Sequence, residues 1–422
     1  MMFPEPAEVP FSGVAPGPSP ATCTEAATDR NCDALVSWSA LAEPADVGAS
    51  WLVATLGAAD ALAWVREVAI NPVAASMRLS EVAPPAQVDE ALALSEKWVV
   101  RLDVAEPDVH RDHAARCGAR VVTRGSPEWP PCLDDLGPMA PFALWVRGSG
   151  NLALLMARAV AIVGARSSTA YGEHVTATIA SELCDRGASV VSGGAYGIDA
   201  AAHRTALAMA EPCVAVMAGG VDRLYPVGHA DMLGRILDGG VIISEVPPGY
   251  APHRARFLSR NRLIATARAT VVVEAAIRSG ALSTARHAAA LVRPVGAVPG
   301  AVTSASSAGC HALIRDGIAT LVTSGADVLD IALPVGASGA VTELDPESAR
   351  APELEFANAA QRQAFGGIGP RGASIEAVAK EAGLTLAQAR AALGGLEMEG
   401  MITRDAGAWR RINTTKRPRN RT

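Results

Sequence analysis

Short apolar runs alternate with amphipathic stretches through the middle of this chain. The runs fall at 160–163, 189–191, 214–217, 241–243, 271–273 and 295–298, and most are rich in valine and isoleucine. A strand that is apolar on successive residues belongs in a sheet covered on both faces. Segments with helical spacing lie between the runs, near 172–186, 199–209, 229–238, 281–291 and 309–316. This rhythm predicts an α/β fold: a Rossmann-like, doubly wound, mostly parallel sheet over 158–330.

The flanks read differently. Ala34, Leu35, Trp38 and Leu41 recur at helical spacing, as do Trp51, Leu52, Leu56 and Ala59, which predicts a small helical domain over 33–117. Residues 118–157, with Trp129-Pro130-Pro131, read as an extended connector. Residues 331–353 are a linker of Pro, Gly, Ser and acids. Helical patterns at 355–365, 374–382 and 385–399, followed by 403–412 with a turn at 405–407, predict a winged helix over 354–413. Residues 1–32 are expected to be a disordered leader and 414–422 a basic tail.

Composition narrows the class. Half the residues are hydrophobic and 19% are charged, the balance of a globular protein. Lysine occurs only at Lys97, Lys380 and Lys416, so arginine carries the positive charge. The net charge is −6, so a nucleic-acid footprint has to be locally basic. Cys23, Cys32, Cys117, Cys132, Cys184, Cys213 and Cys310 form no CxxC pair, which points to reduced thiols and no zinc. No apolar run reaches the roughly 18 residues of a membrane span, and the start lacks a signal peptide's basic and apolar regions. The expectation is a cytoplasmic protein with no membrane partner.

Ligands of open parallel sheets bind at the carboxyl ends of the strands. The first strand is followed by Gly164-Ala165-Arg166-Ser167-Ser168, and the second by Ser192-Gly193-Gly194-Ala195-Tyr196-Gly197-Ile198-Asp199. The third runs into Ala218-Gly219-Gly220, the fifth into Glu274 and Ser279-Gly280, and the sixth into Pro299-Gly300. Helix-start N–H groups attract anions, Arg166 adds a full charge, and Asp199 suits the N-cap of its helix. One such glycine is an ordinary turn; their recurrence favours a phosphate-bearing ligand. The absence of GxxxxGK[ST], and of any lysine between 160 and 330, excludes a P-loop. No GxGxxG follows the first strand and no acid ends the second, which argues against NAD. No cofactor is expected.

The strongest local signal is basic. Arg254, Arg256, Arg260, Arg262 and Arg268 lie between Val246 and Val273 with no acid among them, and Phe257 sits inside the run. Arginines to grip a backbone and an aromatic ring to stack on a base are what single-stranded DNA requires. The competing reading is a solvated basic face or internal ion pairs with acids from elsewhere in the chain. Catalysis has little support. His110, His113, His174, His203, His229, His253, His287 and His311 form no metal-ligand pattern, and neither Ser192 nor Ser283 sits in a G-x-S-x-G elbow. His203 reads as packed or capping. Glu274 reads as holding the 279–284 loop or an arginine by hydrogen bonds. No catalytic residue and no metal are expected.

At these residues the chain resembles the DNA-processing protein A (DprA/Smf) family. The matching blocks are AIVGARSSTAYG (161–172), VSGGAYGIDAAAH (191–203), AGGVDRLYPVGH (218–229), ISEVPPG (243–249), FLSRNRLIA (257–265), VVVEAAIRSGALSTA (271–285), AVPG (297–300) and AGCHALIRDG (308–317), with VVTRGSPEWPPCL (121–133) upstream. The resemblance implies a non-enzymatic protein that binds and protects incoming single-stranded DNA and loads the RecA recombinase in natural transformation. It also implies a homodimer formed through the Rossmann-like part. Carried over by position, Gly164, Ala165, Arg166 and Ser167 would meet a phosphate or base, and Ser192, Gly193 and Gly194 would form a second wall. Phe257, Arg260, Asn261 and Arg262 would line the groove, with Arg254 and Arg256 added by the basic run; Glu274, Ser279 and Gly280 would complete the pocket. Tyr196 stands where the family has Arg, Leu258 where Pro is frequent, and His229 and His311 where Asn is common. In the winged helix, Gln388, Arg390, Glu397 and Glu399 make 385–399 a poor groove reader, and Arg404, Arg410 and Arg411 are better placed. Residues 33–117 resemble the sterile-alpha-motif-like or helix-hairpin-helix-like domain of some members. The alternative is a phosphoribohydrolase-like enzyme acting on nucleotides, whose PGGxGTxxE signature is missing: residues 298–303 lack its second glycine.

Overall fold

The computed structural model describes residues 25–332, 359–368, 372–398, 401–405 and 408–411. It divides into two units, 1–339 and 340–422. The first unit opens with six helices: α1 (Glu25–Leu41), α2 (Val47–Leu56), α3 (Ala58–Ile70), α4 (Pro72–Ser80), α5 (Pro85–Val99) and α6 (Pro107–Arg116). Side-chain caps set the starts of two of them. Asp46 accepts from Ala49 N ahead of α2, and Asn71 from Ala74 N ahead of α4. Trp38, Trp64 and Trp98 are fully buried between these helices. Each indole N–H finds an acceptor, on Ala58 O, Ala75 O and the Asp46 carboxylate respectively. Helix α1 starts at Glu25 rather than at the expected boundary of 33. The remainder of the expected leader, 1–24, lies outside the described residues, as do 333–353 of the linker and the 414–422 tail.

A nine-stranded sheet follows, in the order β1-β2-β6-β5-β4-β3-β7-β8-β9. Its strands are β1 (Ala119–Thr123), β2 (Ala143–Arg147), β3 (Ala159–Val163), β4 (Ser189–Ser192), β5 (Val214–Val216), β6 (Val241–Ser244), β7 (Ala269–Val272), β8 (Val295–Ala297) and β9 (Thr320–Leu321). Strands β3 to β9 run parallel, while β1 and β2 pair antiparallel to each other and β2 antiparallel to β6. The helices are α7 (Leu152–Ala157), α8 (Ala170–Cys184), α9 (Ile198–Ala208), α10 (Ala230–Ile236), α11 (Arg254–Ile264), α12 (Ala281–Ala290), α13 (Ala308–Arg315) and α14 (Gly325–Ala332). Ala159, Ala161 and Val163 of β3 enter one core, and Val160 and Ile162 the other, so the sheet is buried on both faces. Strand order reverses between β3 and β7, which places a crevice at their carboxyl ends.

Two expectations need correction here. Residues 118–157 are not a connector. They carry β1, β2 and α7, and Leu144, Trp145 and Val146 are fully buried in the sheet. The basic run is itself a helix, α11, and four of its buried residues are Arg256, Arg260, Asn261 and Arg262.

The second unit holds α15 (Ala359–Gly366), α16 (Ile375–Glu381), α17 (Leu386–Met398) and the hairpin of β10 (Ile402–Asp405) and β11 (Ala408–Arg411). Ser374 caps α16, and Ala373 bridges Trp409. Ile368, Val378, Leu393, Leu396 and Ile402 close a small core with Trp409, giving the expected winged helix. Arg404 lies over the Trp409 ring at 5.6 Å. Glu399 lies outside the described residues. No single described helix is long and apolar enough to cross a membrane.

Candidate nucleic-acid interface

The loops at the crevice are stabilised from within. After β3 the chain passes Gly164 and Ala165 to Thr169, whose side chain accepts from Gly172 N at the start of α8. Glu274, buried at the end of β7, accepts from Thr169 N at 2.9 Å, from the Thr169 hydroxyl at 2.7 Å and from the Ser306 hydroxyl at 3.3 Å. Its backbone carbonyl accepts from Ala165 N. The carboxylate therefore occupies the helix start that was expected to attract a phosphate. Glu274 does hold a loop, but the loop is that of Thr169 and not 279–284. Gly172 is required by this arrangement, because a Cβ there would strike the Glu274 carboxylate.

The loop after β4 repeats the device. Asp199 is buried and accepts from Gly193 N at 3.1 Å and Ala195 N at 3.4 Å. It is not the N-cap expected of it; Gly197 holds that position ahead of α9. Burial pushes the Asp199 carboxyl up, against the opposing pull of Arg260 and these two N–H groups. Ser192 is fully buried, its hydroxyl donating to Ile162 O, and Gly193 and Gly194 are buried too, so these three residues form no open wall.

Helix α11 divides its arginines sharply. Arg262 is 1% exposed and donates twice to Glu245, at 2.7 and 2.6 Å, and also to Met139 O and Ser259 O. Arg256 donates to both oxygens of Glu43, at 2.9 and 2.7 Å, and to Ala251 O. Arg260 is buried and bonded to Val216 O; burial lowers its pKa to about 10, which leaves it charged at neutral pH. Asn261 donates to Gly280 O, tying α11 to the start of α12. Arg256, Arg260, Asn261 and Arg262 are thus framework residues, which overturns their expected place on the groove. The physical reason is ion pairing of Arg256 with Glu43 and of Arg262 with Glu245, acids that precede the run in sequence and meet it only in the fold, and backbone carbonyls that accept from Arg260 and Asn261.

What remains outside is a rim. Arg166, Ser167, Arg254 and Gly280 are exposed, and Gly164, Ala165, Phe257 and Ser279 are half-buried. Among the described residues no acid pairs with Arg166, Arg254 or Arg268. The Arg166 guanidinium lies 5.4 Å from the centre of the Phe257 ring, and Arg260 lies 5.9 Å from it. Tyr225 meets Phe257 with ring centres 5.9 Å apart. Tyr225 and the exposed Arg278 were not singled out from the sequence. For Tyr225 the available signal was an aromatic residue just beyond the glycine-rich end of β5.

Beneath this rim His203 is fully buried, and neither ring nitrogen has a hydrogen-bond partner among the described residues. Burial, with His229 nearby, lowers its pKa to about 4, so the ring is neutral and packed, as expected. The described residues hold no cluster of His, Cys, Asp and Glu able to bind a metal ion.

Sequence and structure comparisons agree on the family. The model for DNA recombination-mediator protein A matches residues 120–332, and that for the DprA winged helix domain matches 346–408. A putative DNA processing protein DprA of Mycobacterium tuberculosis is 43% identical over 353 residues, covering 81% of this chain and 88% of that protein. Protein Smf of Escherichia coli is 33% identical over 280 residues, covering 64% of this chain and 72% of its own. The X-ray structure of DNA processing protein A from Streptococcus pneumoniae matches with a TM-score of 0.54 at 28% identity, over 71% of this chain and 97% of that one. On the strength of the 120–332 match and the winged helix that follows it, this chain belongs to the DNA recombination-mediator protein A (DprA/Smf) family, whose role is DNA processing.

Proposed function

We propose that the chain binds single-stranded DNA along the rim at the carboxyl ends of β3 to β7, protects it, and passes it to a RecA-type recombinase. One observation carries the reading: Arg166 rests on Phe257, Phe257 meets Tyr225, and among the described residues no acid pairs with Arg166. The rim offers charge for a phosphate backbone and faces for unpaired bases, which is the chemistry of sequence-tolerant single-strand binding. Arg254 and Ser167 extend it, and Gly164, Ala165, Ser279 and Gly280 border it. The protein acts by binding, in the cytoplasm, as a homodimer formed through its Rossmann-like part. Glu274 and Asp199, the acids nearest the crevice, serve as loop-holding groups in this reading.

Titration of short labelled single- and double-stranded oligonucleotides across a salt series tests this. Single strands are expected to bind more tightly, with little dependence on sequence. Arg166→Ala and Arg254→Ala should each lower the log–log salt slope by about 0.7. Equal binding of duplexes, unchanged slopes in both variants, or release of free base from nucleoside monophosphates would overturn the proposal.

A further inference from the structure

Tyr196 lies on the loop between β4 and α9 and is 49% exposed, yet its ring is held in place. His229 meets it edge to face, with ring centres 4.4 Å apart at 62°. His229 is itself fixed by Gly194, whose carbonyl lies 3.1 Å from Nδ1. The Tyr196 hydroxyl packs on Gly228, where a Cβ would come within 2.7 Å of it. The tyrosine is therefore supported by His229 and Gly228 while about half of its surface meets solvent. An exposed aromatic ring that contributes nothing to a core, but is held by His229 and Gly228, is organised for something outside the chain.

The same short segment organises the other exposed rings. Tyr225 opens it and meets the half-buried Phe257, which carries Arg166; His229 ends it and supports Tyr196. The segment from 225 to 229 thus presents one aromatic group at each end. A single strand can lay separate bases on separate rings, whereas a duplex keeps its base faces stacked inside.

We propose that Tyr196 is a second base-stacking station, positioned by His229, and that it contributes affinity through nucleobases and not through phosphates. This rests on the single-strand-binding reading above. The test compares oligothymidylate with an abasic strand of equal length, using the full chain and the variants Tyr196→Ala, Tyr196→Leu, Tyr196→Phe and His229→Ala. Loss of one stacking contact should weaken oligothymidylate binding roughly 5- to 150-fold in Tyr196→Ala. Tyr196→Leu, which keeps apolar bulk but no ring, should fall with it, and Tyr196→Phe should retain affinity. His229→Ala should lose part of what Tyr196→Ala loses. Abasic-strand affinity and the salt slope should not move in any variant. Undiminished oligothymidylate affinity in both Tyr196→Ala and Tyr196→Leu, or an equal loss on the abasic strand, overturns the station. Failure of the unaltered protein to bind any single strand overturns the underlying reading instead.

Discussion

Replacing Arg262 with alanine should damage the fold rather than the DNA contact. The guanidinium is 1% exposed and makes two charge-assisted bonds to Glu245, with further bonds to the Met139 and Ser259 carbonyls. Truncation leaves a buried carboxylate without its counter-charge and removes the donor to the Met139 carbonyl. Breaking a buried pair from one side costs about 3–5 kcal/mol. Total stabilities are about 5–15 kcal/mol, so this is a large fraction of the reserve. Arg166→Ala is the control. It removes an exposed cation over Phe257, worth about 0.5–1 kcal/mol. Urea unfolding followed by tryptophan fluorescence should show a much lower midpoint for Arg262→Ala and almost none of that change for Arg166→Ala. Salt titration should show the reverse order of effects on the slope. The double variant Arg262→Met with Glu245→Leu should recover most of the lost midpoint, because replacing both partners removes the orphaned charge. An unchanged midpoint in Arg262→Ala together with a lowered salt slope would refute the assignment of Arg262 to the framework.

Three further outcomes follow from the same geometry. Burial alone would raise the Glu43 carboxyl, but its bonds to Arg256 and Arg101 and their charges hold it below the ordinary value of 4.5. Its contribution is thus complete above that value and lost as pH falls below it, so Glu43→Gln should show a flatter acid limb in thermal melts between pH 5 and 3. His203 titrates near 4 in the fold, against an ordinary 6.5. The unfolded chain therefore takes up its proton first, and about 3 kcal/mol of stability should disappear between those values. Unfolding midpoints that stay flat from pH 6.5 to 4 would contradict this. Gly172→Ala drives a methyl group into the Glu274 carboxylate and should cost about 1–3 kcal/mol, as overpacking does, read as a lowered Tm.

The central sheet was legible because its strands are apolar on successive residues, a pattern that burial on both faces imposes. Strands β1 and β2 were not legible, because the prolines between them, Pro130 and Pro131 among others, read as a connector. Strand β9 is two exposed residues and carries no pattern. Helix α11 was hidden for a more instructive reason. Helical periodicity is read from apolar residues, and here the inward-facing side chains include Arg256 and Arg260, one turn apart, and Arg262. An acid-free run of arginines looked like a solvent-facing grip. Its acids, Glu43 and Glu245, are distant or outside the run, and only the fold brings them into contact. The rim was partly legible: Arg166 and Phe257 were singled out, but Tyr225 was not. Glu274 was correctly read as a holding group, though for the wrong loop.

The two buried carboxylates explain why the ligand should be a strand and not a mononucleotide. In a nucleotide-binding fold of this kind the helix start after the first parallel strand is open, and a phosphate fills it. Here Glu274 fills it at α8, and Asp199 fills the turn before α9. An anion placed about 4 Å from an ionised carboxylate there would meet repulsion of about 4 kcal/mol at the effective dielectric of a partly solvated site. In the proposed reading phosphates stay outside the crevice and are left to exposed guanidinium groups such as Arg166 and Arg254. Contacts of that kind are individually weak. A free nucleotide would gain one of them, while a strand bound as proposed would gain several at once and add stacking on Phe257 and Tyr225. The net charge of −6 acts in the same direction, since it penalises any anion that cannot spread its contacts over the basic rim. Affinity should accordingly rise steeply with oligonucleotide length until the rim is filled, and then level off.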